Sequence, residues 1–303
     1  MYDEIASNKR RSAALIAGFV VFVALVGWAL TVVIGRGGPV GLVIALVIAG
    51  AMAFASYWKS DTIALAVSRA RPADPDQYKR LYNVVEGLTI AAGLPMPRIY
   101  VIDDDAPNAF ATGRNPRHAA IAVTTGLLEK MNRVELEGVL AHELGHIRNY
   151  DILVSTLAVT MVGAVALMSD MAIRMLWWGG GRRGSHDRGH NPAGALLFVL
   201  GFVLLVFAPI IAQVMHFAVS RRRESLADVT AVELTRYPPG LISALEKLRD
   251  DQTVVASASR ATAHLWIEAP VARTREEGRL AWLNRLFDTH PPLDERIAAL
   301  KEL

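Results

Sequence analysis

Four long stretches without a charged side chain set the terms for this chain. Residues 15–34, 40–58, 152–169 and 193–215 contain no Asp, Glu, Lys or Arg. A helix that crosses a bilayer needs about 20 such residues. The excess of apolar residues, 52% of the 303, is concentrated in these blocks. Lys9, Arg10 and Arg11 precede the first run. It is longer than the ~7–15 residue core of a signal peptide and lacks a small-residue cleavage site after it, so it reads as an uncleaved anchor. A turn at Arg36–Pro39 joins it to the second run, which ends at Tyr57 and Trp58, the side chains of an interfacial aromatic belt. Residues 12–58 and 152–219 are therefore expected to form two transmembrane hairpins.

Residues 59–151 and 220–303 are a different material. A helix is expected over 74–92, ended by Gly93 and the prolines at 95 and 97. Short strands are expected at 98–102 and 119–123, with a polar turn at 103–108 between them. Further helices are expected to begin at 127, to span 134–149, to run from 220 to 234 and from 241 to 250, and to close the chain from 293. Neither stretch looks able to stand alone, and together they read as two halves of one domain, 59–151 and 220–303. With four spans, both halves and the N-terminus lie on one side, together with Lys59, Arg148 and Arg221–Arg223 near span ends. The positive-inside rule makes that side cytoplasmic. Arg36 and the arginines of 177–192 fall on the other side, and the Gly- and Arg-rich 177–192 segment, with His186 and His190, reads as a polar loop.

The chemistry-bearing stretch is 141–151, AHELGHIRNYD, which holds the pattern H-E-x-x-H. Leu136, Leu140, Leu144 and Ile147 repeat at helical spacing. His142 and His146 then share a face, where two ring nitrogens can grip one ion at ~2.0–2.1 Å. Glu143 can reach a water on that ion without being a ligand, the place of a general base. Gly138, Ala141 and Gly145 form a small-residue face beside the histidines where another element can pack closely. The pentapeptide alone also fits an ordinary surface helix.

There is no cysteine, so disulfides and thiolate metal sites are excluded and any metal must take His and carboxylate ligands. A catalytic zinc keeps three protein ligands. Glu224 and Asp228 share a helix face just after the fourth run, on the side where the histidine helix meets the membrane. Glu224 as third ligand, with Asp228 accepting from one histidine ring, is consistent; the same acids also fit a helix that merely balances Arg221–Arg223. The net charge of +3 has no aromatic–basic interleaving, and no nucleic-acid partner is expected.

These residues carry a resemblance. PNAFATGRNP at 107–116, AAIAVTTGLLE at 119–129, AHELGHIRNYDILVSTLA at 141–158, SRRRESLAD at 220–228, ASASRATAHLWI at 256–267 and THPPLDERI at 289–297 resemble, in order, the HtpX family of membrane-bound zinc metalloproteases, relatives of the prenyl-protein endopeptidases. The resemblance spans most of the chain. It implies a gluzincin-type site with His142, His146 and Glu224 on one zinc ion per chain, Glu143 as base and Asp228 supporting a ligand. It also implies a role in quality control of bacterial inner-membrane proteins. The fold class expected is a mostly α membrane protein, four transmembrane helices plus an α+β zincin-like cytoplasmic domain with a small sheet, assembled from two discontinuous segments.

Asn108–Gly113 and 119–123 are expected on the substrate side, with AAIAV either the edge strand that pairs with substrate main chain or a plain core strand. His290 either donates to the oxyanion or simply opens the last helix before Pro291. The function expected is a zinc endopeptidase cleaving misfolded or damaged membrane proteins, with the lipid bilayer as surroundings and an oligomeric state the sequence does not give. An intramembrane-cleaving site is disfavoured by Glu135, Glu137, Arg148 and Asn149 around the motif. A catalytically silent scaffold with a structural zinc has no use for Glu143.

Overall fold

Asn132 opens the helix against which the sheet packs. In the computed structural model, which describes residues 2–33, 39–161, 221–251, 253–255, 265–267 and 291–303, the chain forms nine helices of four residues or more and a small sheet among those residues. In chain order these are α1 (Tyr2–Val33), α2 (Pro39–Val67), β1 (Arg71–Pro72), α3 (Lys79–Ala92), β2 (Arg98–Ile102), β3 (Ala109–Gly113), β4 (Ala119–Thr124), α4 (Thr125–Lys130), α5 (Arg133–Arg148), α6 (Asp151–Met161), α7 (Arg221–Thr235), α8 (Pro238–Asp250) and α9 (Leu293–Lys301).

The Asn132 side chain accepts from the backbone N–H groups of Val134 and Glu135, and the Glu135 carboxylate accepts from that of Asn132. This capping box satisfies donors that a helix start leaves free. Along α5, Leu136, Val139, Leu140, Leu144 and Ile147 enter one core with Ile99, Ile121 and Val123 of the sheet and Leu81, Val85 and Leu88 of α3. The small-residue face is used as expected. A methyl group on Gly138 would stand 2.7 Å from the Leu241 nitrogen of α8, and one on Gly145 would stand 3.1 Å from the Ala227 α-carbon of α7. Both helices therefore lie backbone-close to α5.

The sheet has the order β1-β2-β4-β3, with β2 and β4 parallel and the outer pairings antiparallel. Ile121 pairs with Ile99 on one side and Ala111 on the other. All six residues of β4 are buried. Ala119, Ile121 and Val123 face the α5 core, while Ala120 and Ala122 face a second core with Phe110, Trp266 and Leu65 of α2. An unbroken apolar run is what a strand covered on both faces requires. Of the two readings of AAIAV the structure takes the core strand, and the edge reading is corrected: β4 is interior, and β3 is the outer strand beside it. The sequence reading assigned no strand to 109–113. The helix expected from 74 begins at Lys79 and ends as expected, Gly93 taking the left-handed conformation (φ +64°).

α1 and α2 pack lengthwise through Phe19, Phe22 and Val23 against Ala49 and Ala53, with Leu153, Leu157 and Met161 of α6 completing that cluster. Val40, Val43, Val47 and Phe54 of α2 remain exposed. Among the described residues α2 is long and apolar enough to cross a membrane. The fourth expected span, most of the third beyond Met161, and the 177–192 loop lie outside the described residues.

Candidate metal centre

The capped start of α5 and its apolar stripe fix which way His142 and His146 point, one helical turn apart toward α7. Their rings stand edge to face, centroids 4.7 Å apart, with the two Nε2 atoms 3.1 Å apart. The close approach at Gly145 brings α7 alongside, and α7 turns Glu224, Ala227, Asp228 and Ala231 inward. Glu224 then lies 3.7 Å from His142 Nε2 and 3.6 Å from His146 Nε2. The three donors lie within 4.8 Å of one another. Tetrahedral ligands at ~2.0–2.2 Å from one ion are about 3.3–3.6 Å apart, so the triangle has the size such an ion needs.

Each histidine is oriented from behind. His142 Nδ1 meets Asp228 Oδ1 at 2.8 Å, and His146 Nδ1 meets Asp151 Oδ2 at 3.3 Å. With Nδ1–H donated to a carboxylate, Nε2 is left as the lone-pair atom on each ring. Arg296 of α9, 4% exposed, grips Asp228 with two bonds, Nε to Oδ2 at 3.0 Å and Nη2 to Oδ1 at 2.7 Å. Its Nη1 donates to the Ile267 carbonyl and lies 3.6 Å from Glu224. Burial works against ionisation of Asp228, but the Arg296 charge and the hydrogen bond from His142 hold its carboxyl below the usual range.

The centre attracts positive charge at one corner. Burial opposes charging of His146, yet the hydrogen bond it donates to Asp151 and the nearby Glu224 push it up to about 9. His142 goes the other way, to about 4, through burial and the adjacent Arg296. Glu224, Asp228 and Asp151 are all at most 5% exposed, and Arg296 lies against the first two, so a divalent cation suits the charge balance as well as the donor set.

Glu143 is 1% exposed. Burial, with Glu224 nearby, raises its carboxyl to about 7, against the pull of His146 and of a hydrogen bond from the Ala111 backbone. Ala111 lies on β3, the outer strand. At its two ends Ala109 accepts from the Ile267 N–H at 3.0 Å and the Gly113 N–H donates to Thr156 Oγ1 at 3.2 Å. Asn108 is buried and shapes the start of β3: its carbonyl accepts from Thr124 and its Oδ1 accepts from the Ala109 N–H. His290 lies outside the described residues.

Sequence reasoning missed two contributors. Asp151 falls five residues after His146, on another face of a continuous helix, and reaches the ring because the chain turns at Tyr150 (φ +60°). Arg296 sits in the quoted THPPLDERI block, where nothing local indicates that it points inward.

Residues 75–303 match the description of peptidase family M48. The protease HtpX homologue of Streptococcus uberis is 40% identical over 303 residues, covering both chains completely. That of Lactobacillus helveticus is 43% identical over 307 residues, also with complete coverage. The crystal structure of S. mikatae Ste24p superposes with a TM-score of 0.50 at 19% identity, covering 99% of this chain and 67% of that one.

Proposed function

The chain belongs to peptidase family M48, and from that premise we propose a zinc-dependent endopeptidase whose centre is His142, His146 and Glu224, with Glu143 as general base. The enzyme is a metalloprotease acting on proteins, of a membrane-bound type. The observation that carries the finer reading is the triangle of two imidazole nitrogens and one carboxylate within 4.8 Å, beside a buried carboxylate that is no part of it.

A zinc ion in this site would supply Lewis-acid polarisation of the scissile carbonyl and make water a better nucleophile near neutral pH. The protein's own residues do the rest. Asp228 and Asp151 hold the two rings with Nε2 forward, and Arg296 keeps Asp228 ionised and in register. Glu143, poised near neutrality, takes the proton from the attacking water and passes it to the leaving amine. β3 replaces β4 as the strand assigned to the substrate: its Ala111 N–H lies beside Glu143, so a peptide held there would have its scissile bond next to the base.

The four spans, the two-part organisation of 59–151 and 220–303 around them, one zinc per chain, and a centre facing the cytoplasm of a bacterial inner membrane complete the proposal. The exposed apolar side chains of α2 and the basic residues at 9–11 support that placement. The substrates proposed are misfolded or damaged membrane proteins. Cleavage of such a substrate by the detergent-purified enzyme tests it. Activity should vanish with a chelator, return with zinc and be absent from Glu143→Gln; chelator-insensitive cleavage would contradict a role for the metal, and no cleavage by a zinc-loaded enzyme would leave a structural-zinc scaffold instead.

A further inference from the structure

Asn8 lies on α1, near the start of the first apolar helix and far in sequence from the metal centre, yet it is 1% exposed. Its Nδ2 donates to Asp151 Oδ1 at 2.5 Å and to the Asn149 carbonyl at 3.0 Å. The other oxygen of Asp151 faces His146 Nδ1. The Asp151 carboxylate, 2% exposed, is thus shared between the helix amide and the imidazole.

The amide orientation follows from the chemistry. Both partners are acceptors, so only the NH2 end of Asn8 fits between them. The next residue joins in: Lys9 Nζ lies 4.7 Å from the centre of the Tyr150 ring. Tyr150 holds φ +60°, a left-handed backbone that a β-carbon disfavours. That residue is the turn between α5 and α6, and without it Asp151 would not face His146. Two successive side chains of α1 therefore hold the carbonyl before the turn, the ring at it and the carboxylate after it.

We propose that Asn8 is a positioning residue for the metal centre, acting through Asp151 to set the orientation of His146. α1 is then a working part of the centre as well as an anchor, and the centre reaches full metal affinity only with the start of α1 docked. This rests on the ligand assignment above. If Glu224→Ala keeps its zinc, that assignment fails; if Glu224→Ala loses zinc and Asn8 variants do not weaken it, only the role of Asn8 fails.

The test uses the full-length protein in detergent, with zinc affinity read by chelator competition and ligand geometry by the visible spectrum of the cobalt-loaded form. Removing a group that orients a metal ligand typically costs 10–100-fold in affinity. Asn8→Leu, one step further out, should weaken zinc by about tenfold and shift the cobalt bands. Ser12→Ala, one turn on along the same buried face, should do neither. Asn8→Asp sets two carboxylates against each other and should be worse than Asn8→Leu. Asn8→Asp with Asp151→Asn, which restores a donor–acceptor pair, should recover part of the affinity. Should Asn8→Leu fail to fold, the isosteric Asp exchange decides alone. Wild-type affinity and an unchanged cobalt spectrum in Asn8→Leu, or no recovery in the exchanged pair, would overturn the proposal.

Discussion

A methyl group on Gly145 would stand 3.1 Å from the Ala227 α-carbon and 3.2 Å from its carbonyl oxygen. Glu224 is one turn earlier on the helix that Ala227 belongs to, so this contact sets how closely the carboxylate meets the two histidines. Gly145→Ala should push α7 away by a few tenths of an ångström and weaken zinc binding by about tenfold, while the protein still folds. Gly138→Ala would instead meet Leu241 backbone at 2.7 and 2.8 Å. It should cost about 1–3 kcal/mol of stability through overpacking. Chelator competition and thermal unfolding separate the two effects; unchanged zinc affinity in Gly145→Ala would mean that α7 is positioned by something else.

Arg296 offers Asp228 two parallel hydrogen bonds. A lysine keeps the charge but not the fork. Arg296→Lys and Asp228→Asn should each lower zinc affinity by about 10–100-fold, with stoichiometry restored at saturating zinc. Equilibrium dialysis at several zinc concentrations checks this, and an Arg296→Lys enzyme as tight as wild type would remove Arg296 from the support of His142.

Glu135 gives a pH prediction remote from the metal. Its carboxylate accepts from the Asn132 N–H, from Ser243 and from Lys247 at 2.7–2.8 Å. Burial works against ionisation, but these bonds and the Lys247 charge leave its pKa lowered. A carboxyl with a folded pKa below its unfolded value of about 4.3 stabilises the fold above that value. The contribution is lost as pH falls through the lower, folded pKa. Glu135→Gln should therefore unfold at a lower temperature at pH 7, by about 1–3 kcal/mol, and the gap to wild type should narrow below about pH 4.3. Parallel melting curves for the two proteins across that range would contradict it.

Much of this arrangement could be read in the sequence because local and long-range signals coincide in α5. The capping box, the apolar stripe, the glycine face and the paired histidines all demand the same helix. Glu224 and Asp228 were readable because they lie four apart on one helix face, and the structure brings that face to the two histidines. β3 was not readable: Ala109–Gly113 has one large apolar side chain, Phe110, and is a strand because Phe110 packs on Trp266 and its backbone pairs with β4. AAIAV could be read as an edge strand or as a core strand, and burial on both faces makes it interior. Asp151 was hidden by the left-handed turn at Tyr150, which no periodicity anticipates. Arg296 and Asn8 act across distances where sequence separation says nothing about contact.

Replacing Glu143 with Gln removes the base but leaves the ligands. Zinc content should stay at the wild-type level while cleavage falls by about 10²–10⁴-fold or more. Cleavage close to wild type would reassign the proton transfer to another group.

Metal content of the detergent-purified protein, wild type beside Glu224→Ala, tests the central claim most directly. The arrangement of His142, His146 and Glu224 predicts one zinc per chain in the wild type and loss of that zinc when the carboxylate is removed. A Glu224→Ala protein that retains a full complement of zinc would contradict it.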